Sequence, residues 1–186
     1  MPFIKYRIIG LVGKHCVGKD SVANYLKDNY GYTNRKFSTP LKNCLKSLFD
    51  FTDDQLESNQ KDLIDPKWGI TPRKAMQYFD TEIMQHQLPT IIPNIHRDFF
   101  VKRLFLDFNH YTQPFSISDV RFEHEANAIK KYGGILIKIE RNNTNINDSD
   151  DHISEKDIDN IICDHIIQNN SDLMSLNSKI KKIIDK

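Results

Sequence analysis

Residues 13–21 read GKHCVGKDS, which nearly completes the phosphate-binding pattern GxxxxGK(S/T). The preceding residues 7–12 form an apolar, β-branched run, and residues 22–27 carry apolar side chains at helical spacing. A strand, a glycine loop and a helix in this order direct backbone N–H groups and a helix N-terminus at one anion. Lys19 lies where a lysine neutralises the β- and γ-phosphates. The stretch therefore predicts a nucleotide-binding loop.

The position after the loop lysine departs from the usual pattern. Asp20 stands where Ser or Thr would place a hydroxyl on Mg²⁺, and Ser21 follows it. A carboxylate is a hard oxygen ligand, so Asp20 is predicted to hold Mg²⁺ directly or through water, with Ser21 at the α-phosphate. The alternative is a glycine-rich turn that only caps a helix, with Asp20 at the positive end of the helix dipole.

Length and charge favour a single domain that binds a small phosphorylated ligand. The chain has 186 residues, enough for a sizeable core, and a formal net charge of +1 at pH 7. Such a balance lacks the excess positive charge of a dedicated nucleic-acid binder. No apolar run reaches the roughly 18 residues of a membrane span, so we expect no membrane association and a cytoplasmic location. Three widely spaced cysteines disfavour disulfides and a zinc site.

Helices dominate the predicted middle of the chain. A hydroxyl residue followed by proline marks helix starts at residues 38–40 and 71–72, and the second start predicts a helix of roughly 15 residues. Two prolines predict a loop over residues 86–93, and residues 97–109 then predict a buried helix. The expected anchors of that helix are Phe99, Phe100, Leu104 and Phe108.

A short strand predicted over residues 114–119 ends in a carboxylate. In a parallel sheet such a strand delivers an acid beside Mg²⁺ and the phosphates, which is the predicted position of Asp119. The remaining predicted elements are a helix over residues 123–132, strands over residues 135–140 and 165–168, and a helix over residues 173–184. Residues 142–151 are almost wholly polar and predict a mobile connection.

These segments together resemble the deoxynucleoside monophosphate kinases of viruses and bacteriophages, which share features with phosphomevalonate kinases. The resemblance spans nearly the whole chain, and the order and spacing of its motifs make it specific. The motifs are the glycine loop, STPLK at 38–42, TPRKAMQYFDTEI at 71–83, RDFFVKRL at 97–104, SDVRFEHEANAI at 118–129, DHISE at 151–155 and CDHIIQNNSDL at 163–173.

The resemblance implies an α/β P-loop NTPase fold of the nucleoside monophosphate kinase type. It would have three layers, a central parallel sheet within one domain over residues 1–186, a helical acceptor-binding insertion over residues 40–110, and a lid over residues 141–156. The implied reaction transfers the γ-phosphoryl group of ATP to a deoxynucleoside monophosphate, with Mg²⁺, for DNA precursor synthesis.

The resemblance also implies a set of site residues. Those assigned to ATP are Gly13, Val17, Gly18, Lys19, Asp20, Ser21, Arg141 and Asn169, with Asp20 also on Mg²⁺. Those assigned to the acceptor are His15, Leu41, Lys42, Arg73, Asp80, Thr81, Phe100, Asp119, Arg121 and Glu125. Lys19, Asp119 and Arg121 would be catalytic, and His152 and Glu155 are further lid residues.

Two departures from the family pattern concern the acceptor. The family usually has Lys or Arg at position 15 or 16, where this chain has His15 and Cys16, and it has Gly where this chain has Asp80. For the arginines the alternative is a surface ion pair, and for Phe100 it is a place in the core. The bases that are accepted, and whether the chain is a homodimer, stay open at this point.

Two other functions are compatible with the same residues. One is a related small-molecule kinase that acts on a phosphorylated acceptor such as phosphomevalonate. The other is a non-catalytic module that binds a nucleotide in order to regulate a partner. The chain lacks the guanine-binding tetrapeptide NKxD, which disfavours a GTPase switch. An assay of several acceptors with ATP and Mg²⁺ separates these functions.

Overall fold

Residues 4–95, 97–106, 108, 111–142 and 157–185 are described by a computed structural model of the chain. The chain divides into two units, of which the first comprises Met1–Phe37 and Asp107–Lys186 and the second Ser38–Leu106. None of the described helices is both long and apolar enough to cross a membrane.

A parallel sheet forms the centre of the first unit. Its strands are β1 (Ile8–Val12), β2 (Thr33–Arg35), β3 (Phe115–Val120), β4 (Ile135–Glu140) and β5 (His165–Gln168). In the described part of the chain these five strands pair in the order β2-β3-β1-β4-β5. All residues of β1 are buried, as a parallel strand covered on both faces requires. The loop after β1 therefore starts between the carboxyl ends of β3 and β4.

Helices follow most strands and fill the second unit. They are α1 (Lys19–Tyr30), α2 (Thr39–Phe49), α3 (Asp53–Glu57), α4 (Pro72–Tyr78), α5 (Leu88–Ile91), α6 (Phe99–Phe105), α7 (Glu123–Lys131) and α8 (Leu173–Ile184). A π-helix spans Phe79–Gln87, and 3₁₀-helices span Asn59–Asp62 and Ile158–Asn160.

The first unit has three layers, as expected. On one face of the sheet, Ile9 and Leu11 of β1 share a buried cluster with residues of α1 and α8, including Leu26 and Ile180. Gly10 points to the other face, where a Cβ would lie 2.7 Å from the side chain of Ile129 in α7. This alternation along β1 buries a helix layer on each side of the sheet.

The second unit has its own apolar centre. Leu41 and Leu45 of α2 pack with three further buried residues, Phe51, Leu56 and Ala75. Thr52 begins α3 with a capping box, in which its hydroxyl accepts from Gln55 N and the Gln55 side chain accepts from Thr52 N. Short helices can form here because caps and packing replace the stability that length would give.

The predicted strands and helices of the first unit are largely confirmed. Strand β3 ends one residue later than predicted, so Asp119 lies inside the strand rather than after it. The three-residue strand β2 was not predicted, because Thr33–Arg35 has only one strongly β-forming residue and no apolar alternation.

In the second unit the predicted loop over residues 86–93 is wrong for most of its length. The helix that starts at Pro72 continues through the π-helix into α5 and ends at Ile91. Pro89 is the second residue of α5 and lies within this helical path, so the proline does not end the helix here. Helix α6 is also shorter than expected, and its buried residues are Val101 and Phe105 rather than the predicted anchors.

Candidate functional site

The loop between β1 and α1 holds backbone conformations that side chains rarely adopt. Gly13, Cys16 and Gly18 have φ values of 151°, 60° and 108°. A Cβ on Gly13 would overlap the carbonyl oxygen of Ile139. A Cβ on Gly18 would lie 2.7 Å from Asn169 Nδ2. Because glycine avoids both strain and overlap, these two positions allow the sharp turn into α1.

The start of α1 has backbone N–H groups that precede the first hydrogen bond of the helix. The N–H of Val22 donates to the Gly18 carbonyl at 3.1 Å, which is the first bond of the helix. The N–H groups of Lys19, Asp20 and Ser21 precede that bond and have no acceptor within the helix. Three N–H groups at the positive end of a helix that follows a glycine loop form a site for a phosphate.

The Lys19 side chain is folded back over the loop. Its Nζ donates to the carbonyl oxygens of Gly13 and Lys14, at 2.6 Å each. An ammonium group prefers anionic oxygens to neutral carbonyls, because charge-assisted hydrogen bonds are the stronger ones. Lys19 is thus placed to exchange these carbonyl partners for the oxygens of a bound phosphate.

Asn169 supports the loop from the end of β5. The side chain is buried, and its Nδ2 donates to the carbonyl oxygen of Val17 at 2.8 Å, while its backbone N–H donates to Glu140 at 2.7 Å. The Val17 side chain is itself part of the core of the first unit. Both residues were assigned to ATP by resemblance. In this structure they shape the loop, and their contact with ATP stays a prediction.

Asp20 contacts one side chain in β3 and one directly after β2. Its Oδ1 accepts a hydrogen bond from Ser118 Oγ at 3.3 Å and lies 3.5 Å from Lys36 Nζ. The strand order β2-β3-β1 accounts for this arrangement, because parallel neighbours bring their carboxyl ends to one edge of the sheet. Neither Ser118 nor Lys36 was singled out in the sequence. The only signals were the position of Ser118 directly before Asp119 and a basic pair, RK, at the end of β2.

Asp119 lies at the same edge and holds the chain that leaves β2. Its Oδ1 accepts a hydrogen bond from the backbone N–H of Phe37 at 2.9 Å. The Asp119 side chain is half-buried, so a part of it is open to solvent. Its strand, β3, lies beside β1, the strand that precedes the glycine loop. The predicted pairing of Asp119 with the glycine loop thus has a basis in the sheet, since β3 lies next to β1.

Glu125 shapes the turn after β3. Its Oε2 accepts from the backbone N–H groups of Arg121 and Phe122, at 2.8 and 3.1 Å. The residue is only 7% exposed, and its pKa is raised to about 8, first by burial and then by the charge of Asp119. The Arg121 side chain is exposed. Glu125 therefore fixes the backbone from which Arg121 extends, and its predicted contact with the acceptor stays untested.

The predicted acceptor residues of the second unit include two ion-paired cations. Lys42 Nζ lies 2.7 Å from Glu57 Oε1. Arg73 makes a two-pronged pair with Asp62, in which one guanidinium nitrogen lies 3.0 Å from Oδ2 and Nε contacts Oδ1. Both cations are half-buried, and both carboxylates are more exposed than their partners. A bound phosphate would have to share or replace these carboxylates.

Four other predicted acceptor residues differ in their surroundings. Leu41 is buried in the core of the second unit, and Phe100 packs half-buried against that core. Asp80 and Thr81 lie in the first turn of the π-helix, and both are half-buried. A π-helical segment is rare and often marks a functional position, which is consistent with the prediction for these two residues.

The remaining predicted residues lie at the glycine loop and after β4. His15 Nδ1 lies 2.9 Å from Cys16 Sγ in the loop. Arg141 directly follows β4 and is exposed. His152, Glu155 and most of the lid predicted over residues 141–156 lie outside the described residues.

The donor set at the loop fits Mg²⁺ better than a transition metal. Within the described ranges, no group of three or more His, Cys, Asp and Glu side chains converges as a metal cage would. Mg²⁺ is commonly held by one or two carboxylates together with substrate phosphates and water. Asp20, next to the phosphate-binding N–H groups, provides such a carboxylate. The residues present therefore fit a metal that arrives with a nucleotide.

Sequence relatives of the chain share one family name. The sequence profile of the family described as deoxynucleotide monophosphate kinase matches residues 53–180. A protein of Acanthamoeba polyphaga mimivirus that carries this name is 36% identical over 187 residues, 96% of each chain. The deoxynucleotide monophosphate kinase of Enterobacteria phage T4 is 28% identical over 157 residues, which are 77% of this chain and 61% of the phage protein.

Solved structures show the same fold. The shikimate kinase of Aquifex aeolicus superposes with a TM-score of 0.54 and 12% identity, and the match covers 96% of each chain. The dephospho-CoA kinase of Campylobacter jejuni gives a TM-score of 0.50 and 15% identity, over 96% of this chain and 95% of that one. At such identities the likeness concerns the fold alone, which is the α/β fold of P-loop kinases.

Proposed function

The chain belongs to the deoxynucleotide monophosphate kinase family, and from this premise we propose that it transfers the γ-phosphoryl group of ATP to a deoxynucleoside monophosphate. The products are ADP and a deoxynucleoside diphosphate. The observation that carries the proposal is the relative that matches 96% of the chain under this name. The glycine loop, with Lys19 folded over it, supports the same conclusion from the geometry.

Phosphoryl transfer depends on positioning and on neutralisation of charge, and the first unit has groups for both. The N–H groups at the start of α1 would bind the phosphates of ATP, and the Lys19 ammonium would neutralise their oxygens. Asp20 would hold Mg²⁺, which supplies positive charge to the β- and γ-phosphates when it is bound.

Each unit has residues that are candidates for binding the acceptor. Arg121 extends from the turn fixed by Glu125, and Asp119 lies at the edge of the sheet beside the loop. Lys42 and Arg73 would bind the acceptor in place of their present carboxylate partners. Arg141 would add a cation from the end of β4. Cations aimed at the transferring group stabilise its transition state more than its ground state.

A coupled assay of ADP release tests the function. The purified chain is mixed with ATP and Mg²⁺ and offered the deoxynucleoside monophosphates, the ribonucleoside monophosphates and phosphomevalonate in turn. We expect ADP release that depends on a deoxynucleoside monophosphate, and the diphosphate product identified by mass spectrometry. Turnover confined to phosphomevalonate would replace the proposal with the related kinase, and nucleotide binding without any acceptor turnover would favour a regulator.

A further inference from the structure

Lys36 and Ser118 both contact one oxygen of the carboxylate that takes the place of the loop hydroxyl. Ser118 Oγ donates to Asp20 Oδ1 at 3.3 Å, and Lys36 Nζ lies 3.5 Å from the same atom. Ser118 is 3% exposed, and the Lys36 side chain is 26% exposed, whereas the Asp20 side chain is 74% exposed. The Asp20 carboxylate is thus exposed to solvent, with the buried Ser118 hydroxyl and the Lys36 ammonium group beside it.

The two contacts differ in what they allow at the metal position. A serine hydroxyl is neutral, so its hydrogen bond orients the carboxylate without repelling a cation. The Lys36 ammonium carries the same sign of charge as Mg²⁺ and occupies the same carboxylate. Two cations that share one carboxylate lower each other's affinity for it by Coulomb repulsion. Metal binding at Asp20 and the Lys36 contact are therefore in competition.

Resting on the proposed function, which brings Mg²⁺ to the glycine loop with ATP, we propose that Lys36 is the internal counter-ion of Asp20 and that Mg²⁺ displaces its ammonium group. Lys36 contacts the Asp20 carboxylate in this structure and would leave it when Mg²⁺ binds, whereas Ser118 would keep the carboxylate oriented in either case. Lys36 is thus a positioning residue that acts through Asp20 and sets how much Mg²⁺ the enzyme needs.

The displacement also concerns the chain that leaves β2. Lys36 is followed by Phe37, whose N–H donates to Asp119 at 2.9 Å, and by Ser38, the first residue of the second unit. In this structure the segment contacts the site through the Lys36 side chain at Asp20 and through the Phe37 N–H at Asp119. The backbone hydrogen bond to Asp119 would not depend on whether Lys36 stays at Asp20.

Binding of Mn²⁺ in the presence of ADP tests the competition without turnover. Mn²⁺ replaces Mg²⁺ as the probe, and free Mn²⁺ is measured by electron paramagnetic resonance. We expect Lys36→Met to lower the Mn²⁺ concentration at half-saturation about two- to fivefold, the range expected for one partly exposed ion pair. Lys67→Met removes a similar exposed pair with Asp50 in the second unit and is the matched control, with no expected change.

A second set of variants separates competition from general disturbance. Lys36→Arg keeps the cation and should leave Mn²⁺ binding near that of the wild type, and Ser118→Ala should weaken it. In an Asp20→Asn background, Lys36→Met should no longer change Mn²⁺ affinity, because the shared carboxylate is gone. Thermal melts establish that each variant is folded.

The outcomes distinguish this inference from the proposed function. Unchanged or weaker Mn²⁺ binding by Lys36→Met, or an effect that persists in the Asp20→Asn background, would overturn the counter-ion role while leaving an active kinase in place. A wild-type chain that binds no Mn²⁺ with ADP would instead contradict the proposed function itself.

Discussion

The two units hold the cations that we propose bind phosphates in different ways. In the first unit, Lys19 donates to neutral carbonyl oxygens of its own loop, Gly13 and Lys14. In the second unit, Lys42 and Arg73 are paired with carboxylates. A phosphate replaces a neutral carbonyl with a net gain, whereas it must compete with a carboxylate that already carries the charge. If these residues bind phosphates as proposed, Lys19 would exchange neutral partners for charged ones, whereas Lys42 and Arg73 would first have to leave their carboxylates.

The largest expected effect comes from the loop cation. Lys19→Ala removes the ammonium group that we propose neutralises the transferring phosphoryl group, so kcat should fall at least a hundredfold, roughly 3 kcal/mol in the barrier. Steady-state kinetics with ATP and the best deoxynucleoside monophosphate measure this loss. Lys27→Ala, an exposed lysine in the last turn of α1, is the control and should keep wild-type kinetics. Equal kcat values for the two variants would contradict a role of Lys19 in phosphoryl transfer.

The next prediction tests whether close neighbours fix the backbone conformation of the glycine loop. Gly13→Ala adds a methyl group that overlaps the Ile139 carbonyl and lies 2.9 Å from Val17 Cγ2, at a φ of 151°. We expect a loss of about 2 to 3 kcal/mol in the free energy of unfolding, from overpacking and strain together. Urea denaturation followed by circular dichroism measures it.

Gly133→Ala supplies the matched control for Gly13→Ala. Gly133 has a φ of 76°, but no atom lies within 4 Å of a Cβ built there. Strain alone should cost about 1 kcal/mol. Equal losses for the two variants would mean that the loop tolerates a side chain and is not held by its neighbours.

The sequence predicts the first unit well because its signals are local. Strand β1 is a short apolar run, the glycine loop is a contiguous motif, and α1 shows helical spacing directly after it. Asp119 is predictable as an acid at a strand end. Lys36 is not, because its role arises from the pairing of β2 with β3, which places residues distant in sequence at one edge.

The second unit is predicted less well because its signals compete. A proline inside a helical pattern normally ends the helix, yet Pro89 lies within α5 and the helical path continues to Ile91. The π-helix over Phe79–Gln87 has no sequence pattern that would predict it. The acids that hold Lys42 and Arg73 come from separate short helices, so periodicity along one helix cannot find them.

Carboxylates of the two units should respond to pH in opposite directions. In the first unit, the pKa of Glu125 is raised to about 8, so the folded chain binds a proton that the unfolded chain releases above its ordinary pKa near 4.5. Stability from Glu125 is therefore present at low pH and falls as pH rises through the range from about 4.5 to 8. In the second unit, the Lys67 ammonium lowers the pKa of Asp50, whose contribution is lost only as pH falls.

Glu125→Gln tests this difference. The amide has the same shape and can accept from the same backbone N–H groups, but it does not titrate. From pH 5 to pH 8.5, the wild type should lose stability relative to Glu125→Gln by more than about 1.4 kcal/mol, the free energy of one pKa unit. Thermal melts across this range measure the difference, and Asp50→Asn should show no such trend above pH 5. If stability depended on pH in the same way in the wild type and Glu125→Gln, the raised pKa of Glu125 would be contradicted.

The smallest expected effect concerns the acids that hold the second unit's cations. Asp62→Asn removes the charge that pairs with Arg73 and leaves the arginine in place. If Arg73 binds the phosphate of the acceptor, its release should lower KM for the deoxynucleoside monophosphate about two- to fivefold, the value of a partly exposed ion pair, with kcat nearly constant. Asp53→Asn breaks the similar pair with Lys46 and should change neither constant. A KM that stays constant or rises in Asp62→Asn would show that the Arg73–Asp62 pair is structural. The carboxylate of Asp62 would then not compete with the acceptor phosphate for Arg73.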